Sequence, residues 1–235
     1  MKICIVGDSW GCGEWDSDPK GNHWNSHKGL EHFLSQKHEV TNISVGGINN
    51  DEAYRRLTIA LGTQSFDYVF WFMTDPLRDL RPYDWFKQKN ISLLNPFDWF
   101  KQNISFDDLL SEQNKCMKAS FAKFNSIGIP IQCIGGCAKL DLNLIQKYSN
   151  LTPFIPSVIE FLLPNYTHSE VWFSDWYKFI GKQFDLESLD KLVELKNKQD
   201  LLGHEHKDLF YPDGLHPNRY GHELLYNKVV EVYGL

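Results

Sequence analysis

The sequence predicts an α/β fold, a parallel sheet with helices on both faces, formed as one domain over residues 1–235. Two observations carry the prediction. Short β-rich apolar runs near residues 2–6, 39–44, 67–73 and 129–134 alternate with helical segments near 27–37, 50–62 and 107–127, the order in which βαβ units are written. The first run, Lys2-Ile3-Cys4-Ile5-Val6, is nearly continuous in apolar character, as a strand buried on both faces requires. Right-handed crossovers then distribute the helices over both sides of the sheet. A chain that is 42% hydrophobic and 14% aromatic fills one sizeable core at this length and does not demand a second domain.

Taken in order, the first strand is stopped by Gly7, which places Asp8 and Ser9 at its carboxyl end, the edge where open α/β sheets carry their chemistry. A polar loop from Gly11 to Ser26 follows, with Trp15 and Trp24 beside Asp16, Asp18, His23 and Asn25. It is equally suited to shaping access to the first turn and to burying its tryptophans. The second strand runs into Val45-Gly46-Gly47-Ile48-Asn49-Asn50, where a glycine pair lets backbone approach a ligand closely or simply turns the chain into a helix. The third, Asp67 to Phe72, ends in Met73-Thr74-Asp75-Pro76. The long helix around Asp107 to Ile127 places Leu109, Leu110, Met117, Phe121 and Phe124 on one broad face, and Gly128 ends it before Pro130. No fifth strand stands out; Val171-Trp172-Phe173 is a candidate, although an aromatic helix fits it equally well. The stretch Tyr220 to Tyr233 closes the chain as a helix with Leu224, Leu225, Val229, Val230 and Val232 on its apolar face.

Two insertions are expected, near 76–106 and 139–210. The first holds a duplication: Asp84-Trp85-Phe86-Lys87-Gln88-Lys89-Asn90-Ile91-Ser92 returns as Asp98-Trp99-Phe100-Lys101-Gln102-Asn103-Ile104-Ser105. Two copies are too few for a solenoid, and the repeated aromatics suit a core better than a substrate rim. The second, with its aromatic cluster from Trp172 to Phe179 and an amphipathic run from Leu186 to Leu202, reads as a helical cap or as the surface of a homo-oligomer.

Chemistry concentrates at the two ends. Serine is a poor nucleophile until a base takes its proton, and an imidazole needs a carboxylate to hold its tautomer. Ser9 supplies the first part. Asp213-Gly214-Leu215-His216-Pro217-Asn218 supplies the other two, since Asp213 and His216 stand three residues apart in one tight turn before a helix. Read blandly, the same residues are a strand-to-helix turn and a polar cap.

On Gly7-Asp8-Ser9 and Asp213-x-x-His216 the chain resembles the SGNH hydrolases, the GDSL esterase/lipase superfamily. The resemblance implies a flavodoxin-like three-layer α/β/α sandwich and cleavage of esters, including acetyl groups on carbohydrates. It makes Ser9 the nucleophile, His216 the general base and Asp213 its orienting partner. It puts the backbone of Ser9 and of Gly47, with Gly46 as the near alternative, in an oxyanion hole. The family's third donor is an asparagine after the third strand; here Thr74 stands in its place, and Thr74, Asn49 or Asn50 is left to supply that hydrogen bond. Asp8, Trp10 and Asp75, beside these motifs, are the expected substrate contacts.

The remaining signals are mostly exclusions. A net charge of −6 speaks against a general nucleic-acid surface. No run is long enough for a membrane span, and a chain that opens on a core strand reads as cytoplasmic, which leaves five Asn-x-Ser/Thr sites without meaning. Five cysteines do not suggest a disulfide framework, and Cys4 and Cys133 read as buried thiols. His204, His206 and His222 lack the supporting ligands of a metal site, so no cofactor or metal is expected. The leading expectation is a serine esterase that removes a short acyl group from a carbohydrate or another small polar ester. An acyltransferase using the same triad, or a noncatalytic glycan- or protein-binding protein on this fold, stands as the alternative.

Overall fold

The computed structural model of the protein describes residues 1–18, 20, 22–79, 106–136, 138–166, 205–211 and 216–235. In chain order the elements are β1 (Lys2–Gly7), α1 (Ser9–Cys12), β2 (Glu14–Ser17), β3 (His23–His27), α2 (Leu30–Leu34), β4 (Glu39–Asn42), α3 (Asn50–Leu61), β5 (Tyr68–Met73), a 3₁₀ turn (Pro76–Asp79), α4 (Phe106–Asn125), β6 (Ile131–Gly135), α5 (Leu142–Ile145), β7 (Leu151–Ile155), α6 (Val158–Leu162) and α7 (Arg219–Tyr233).

Five strands form one sheet in the order β4-β1-β5-β6-β7, with every neighbouring pair parallel. Counted within that sheet the order is 2-1-3-4-5, the flavodoxin-like doubly wound arrangement, and its topological switch point falls between β1 and β5. The period-two alternation of the central strands sorts their side chains onto two faces. Ile3, Ile5, Phe70 and Phe72 pack with Leu30 and Leu34 of α2 and Leu225 and Val229 of α7. Cys4, Val6, Val69, Trp71 and Met73 pack with Ala53 and Leu57 of α3 and Met117, Phe121 and Phe124 of α4. The result is helices, sheet and helices in three layers. Trp71 and Phe124 stack with ring centroids 3.7 Å apart, joining sheet to helix on the second face. Cys4 and Cys133 are free, buried thiols, as expected, and burial pushes the Cys4 pKa up to about 12.

Two expectations are corrected. The fifth strand is Leu151–Ile155, inside the region read as the second insertion, whereas Val171-Trp172-Phe173 lies outside the described residues. The polar loop after Ser9 is an antiparallel hairpin, β2 with β3, whose turn is held by Asp18 accepting from the Asn22 amide. Among the predicted insertions, the duplicated segment, the Trp172 to Phe179 cluster and the Leu186 to Leu202 run all lie outside the described residues. No helix among the described residues is long and apolar enough to cross a membrane.

Candidate active site

The site is built on the carboxyl end of β1. Gly7 has φ +151°, and a Cβ there would stand 2.4 Å from the Phe72 carbonyl oxygen, so the close approach of β1 to β5 at the switch point admits only glycine. Asp8 follows, fully buried, with one carboxylate oxygen accepting from the Trp10 backbone N–H at 3.1 Å. Its other oxygen accepts from the Thr74 hydroxyl at 2.5 Å and from Arg78 Nη1 at 3.1 Å. Ser9, the first residue of α1, is thereby presented at the edge of the sheet with its side chain partly exposed.

From the far end of the chain, His216 Nε2 lies 2.7 Å from Ser9 Oγ. The segment that carries it is pinned at its base: Phe210 bridges to Pro217, Tyr211 N–H donates to the His216 carbonyl at 2.8 Å, and Asn218 N–H donates to the Leu209 carbonyl at 2.9 Å. Asn218 also caps α7, its side-chain oxygen accepting from the Gly221 N–H at 3.0 Å. Asp213 lies between these pins but outside the described residues.

The hairpin ties the two halves together. Trp15 Nε1 donates to the Ser9 carbonyl at 2.9 Å, and Ser17 Oγ is 2.7 Å from the Tyr211 hydroxyl. Two indoles flank the His216 imidazole, with ring centroids at 6.0 Å for Trp10 and 5.9 Å for Trp15. This bracing role of Trp15 and Ser17 is absent from the sequence reading, whose only signal was a tryptophan six residues after the serine.

The remaining expected residues divide sharply. Gly46 and Gly47 occupy the centre of a turn closed by Ile48 N–H on the Val45 carbonyl, with Gly47 at φ +77° and both glycines exposed. A Cβ on Gly46 would come within 3.9 Å of Ser9 Cβ, so the turn stands beside Ser9. The Gly46 backbone holds the Cys12 thiol pKa down, against the stronger upward push of burial and of Asp8, which together take it to about 12. Thr74 and Asn50 form a correction. The single hydroxyl proton of Thr74 is directed at Asp8, and the amide group of Asn50, itself buried, donates to Asp79 at 3.0 Å and toward the Thr74 carbonyl at 3.4 Å. Neither side chain has its donor turned toward Ser9. Asn49 uses its carbonyl oxygen to cap α3 on the Glu52 N–H, and its amide nitrogen enters no bond among the described residues.

Asp8, Trp10 and Asp75 are likewise corrected: with 0, 1 and 0% of their surface exposed they form the floor beneath the site and present nothing to a substrate. Asp79, below them, receives the Asp51 N–H, the Asn50 amide and the Ser120 hydroxyl; burial raises its pKa above the ordinary carboxylate value, and these bonds oppose the rise. His222 is buried, and no group of three or more histidine, cysteine or carboxylate side chains able to hold a metal occurs among the described residues.

No family model matches the chain, and no curated protein matches it. Among solved structures it is similar to LAE5, an α/β hydrolase enzyme from the metagenome of Lake Arreo, Spain, at 14% identity and TM-score 0.45 over 99% of this chain and 94% of that one. TesA aligns at 15% identity and TM-score 0.43 over 98% and 97% of the two chains. Axe2, an acetylxylan esterase from Geobacillus stearothermophilus, aligns at 11% identity and TM-score 0.44 over 100% and 94%. With every one of these scores below 0.5, the chemistry rests on the site's own geometry.

Proposed function

We infer that this protein is an SGNH-type serine esterase that removes a short acyl group from a carbohydrate or another small polar ester. The observation that carries the reading is the 2.7 Å contact between Ser9 Oγ and His216 Nε2 at the switch point of the sheet. Ser9 Oγ attacks the ester carbonyl as His216 Nε2 takes its proton. The tetrahedral intermediate then collapses, the ester C–O bond breaks, and His216 returns the proton to the departing alcohol. Water, deprotonated by the same imidazole, attacks the acyl-serine and releases the acid and free Ser9. Asp213 is assigned to the other ring nitrogen, as the family resemblance implies.

For the oxyanion, the backbone N–H groups of Ser9 and Gly47 are assigned. Gly47 is favoured over Gly46 because the space over Gly46 is filled by the Trp15 indole, where a Cβ would stand 3.0 Å from Cη2, while a Cβ on Gly47 would meet nothing within 4 Å. Asn49 is assigned as the third donor, since Thr74 and Asn50 are committed to the frame. Losing one such donor costs about 10²–10³ in turnover, so this assignment is worth testing in its own right. The locked Thr74 hydroxyl is also what favours a second reading, a binding protein without turnover. A phosphonate probe that reacts with activated serines decides between them: a covalent adduct mapped to Ser9 by peptide mass spectrometry, and absent in His216→Ala, supports the esterase. An unlabelled, folded protein that turns over no ester refutes it.

A further inference from the structure

Trp15 touches three parts of the site at once. Its indole N–H holds the Ser9 carbonyl at 2.9 Å, and its ring centroid lies 5.9 Å from that of His216. Its benzo edge fills the space over Gly46, where a Cβ would stand 3.0 Å from Cη2. It is half-buried, whereas Trp10, the other indole beside His216, is fully buried. If His216 hands its proton to the leaving alcohol, that oxygen must come within hydrogen-bond reach of Nε2, about 2.6–3.2 Å. Whatever is attached to the oxygen then extends past the imidazole, and of the two indoles beside it among the described residues Trp15 is the one with surface to offer. We propose that Trp15 is the specificity-determining residue for the alcohol half of the ester, packing its ring against a CH-rich face such as that of a sugar ring.

The inference rests on the esterase reading and predicts something that reading does not. Cyclohexylmethyl acetate and ethyl acetate share an acyl group and release primary alcohols of similar basicity, but only the first carries a ring to lay on the indole. The measured quantity is the ratio of kcat/KM for the ring ester to that for the ethyl ester. Trp15→Ala is expected to lower this ratio about tenfold. Trp15→Phe, which keeps a ring but loses the N–H to Ser9, is expected to retain most of it while slowing both esters together. A fall in both rates with the ratio unchanged in Trp15→Ala makes Trp15 a brace only and overturns the proposal, leaving the esterase reading intact. A wild-type protein that hydrolyses neither ester and takes no phosphonate on Ser9 overturns both.

Discussion

Ser9 and His216 are held by different physics. Ser9 rides on the end of a central strand whose Ile3, Cys4, Ile5 and Val6 are completely buried, above a carboxylate that meets a backbone amide, a hydroxyl and a guanidinium. His216 is half-buried, in a stretch fastened by backbone bonds involving Leu209 and Tyr211 and tied to the hairpin through the Ser17–Tyr211 hydroxyl contact. Disturbing the first should unfold the protein before it misplaces a catalytic atom. Disturbing the second should misplace a catalytic atom in a protein that stays folded.

The widest separation between the two is expected from His216→Ala, which should lower ester turnover by about 10⁴-fold or more while leaving the urea midpoint where it was. Its counterpart is Gly7→Ala, where the new Cβ meets the Phe72 backbone at 2.4 Å; a loss of about 4 kcal/mol by urea denaturation is expected. A folded, fully stable Gly7→Ala protein would show that the two strands part easily at the switch point. Next comes Arg78→Met, which removes a guanidinium paired with the buried Asp8 carboxylate and should cost about 3 kcal/mol by the same measurement.

The fourth test uses pH. Burial lowers the His222 pKa from the ordinary histidine value of 6.5 to about 4, with the Gly13 backbone opposing the shift and His216 and His27 adding to it. The folded state therefore refuses a proton that the unfolded chain accepts. Stability from this group is complete above pH 6.5, falls by about 1.4 kcal/mol per pH unit below it, and levels off beneath pH 4. His222→Leu should flatten that slope in thermal unfolding followed from pH 7 to pH 4.5, and an unchanged slope would assign the acid sensitivity elsewhere. The smallest effect belongs to Ser17→Ala: loss of one partly buried hydrogen bond, about 1 kcal/mol, should appear as a severalfold fall in kcat with little change in melting temperature. A stability loss without a rate effect would remove the hairpin from the placement of His216.

The same contrast explains what the sequence disclosed. The buried strands announced themselves because Ile3 to Val6 and Val69 to Met73 are continuous apolar runs, and the segments carrying Ser9 and His216 because glycine, proline and short polar residues cluster there. The edge strand β7 was hidden by Pro153, which breaks the pattern of a central strand. Proline is tolerated here because it lies on the sheet's last strand, opposite Cys133 at a register shift. The hairpin was hidden because Glu14 to Ser17 and His23 to His27 carry few apolar side chains; their register comes from the turn and not from burial. Neither the guanidinium of Arg78 under Asp8 nor the inward turn of the Thr74 hydroxyl had any local signature. Each is a contact between residues about 70 positions apart that only the parallel pairing of β1 with β5 creates.

The contact between Ser9 and His216 spans 207 positions. Ser9 is therefore made some two hundred residues before His216, and the pair meets only once both have been synthesised and the sheet has brought them together. Parallel sheets of such high contact order also form slowly. On the esterase reading, reactivity at Ser9 waits on that closure, and a chain cut short before His216 would keep its serine without the imidazole beside it.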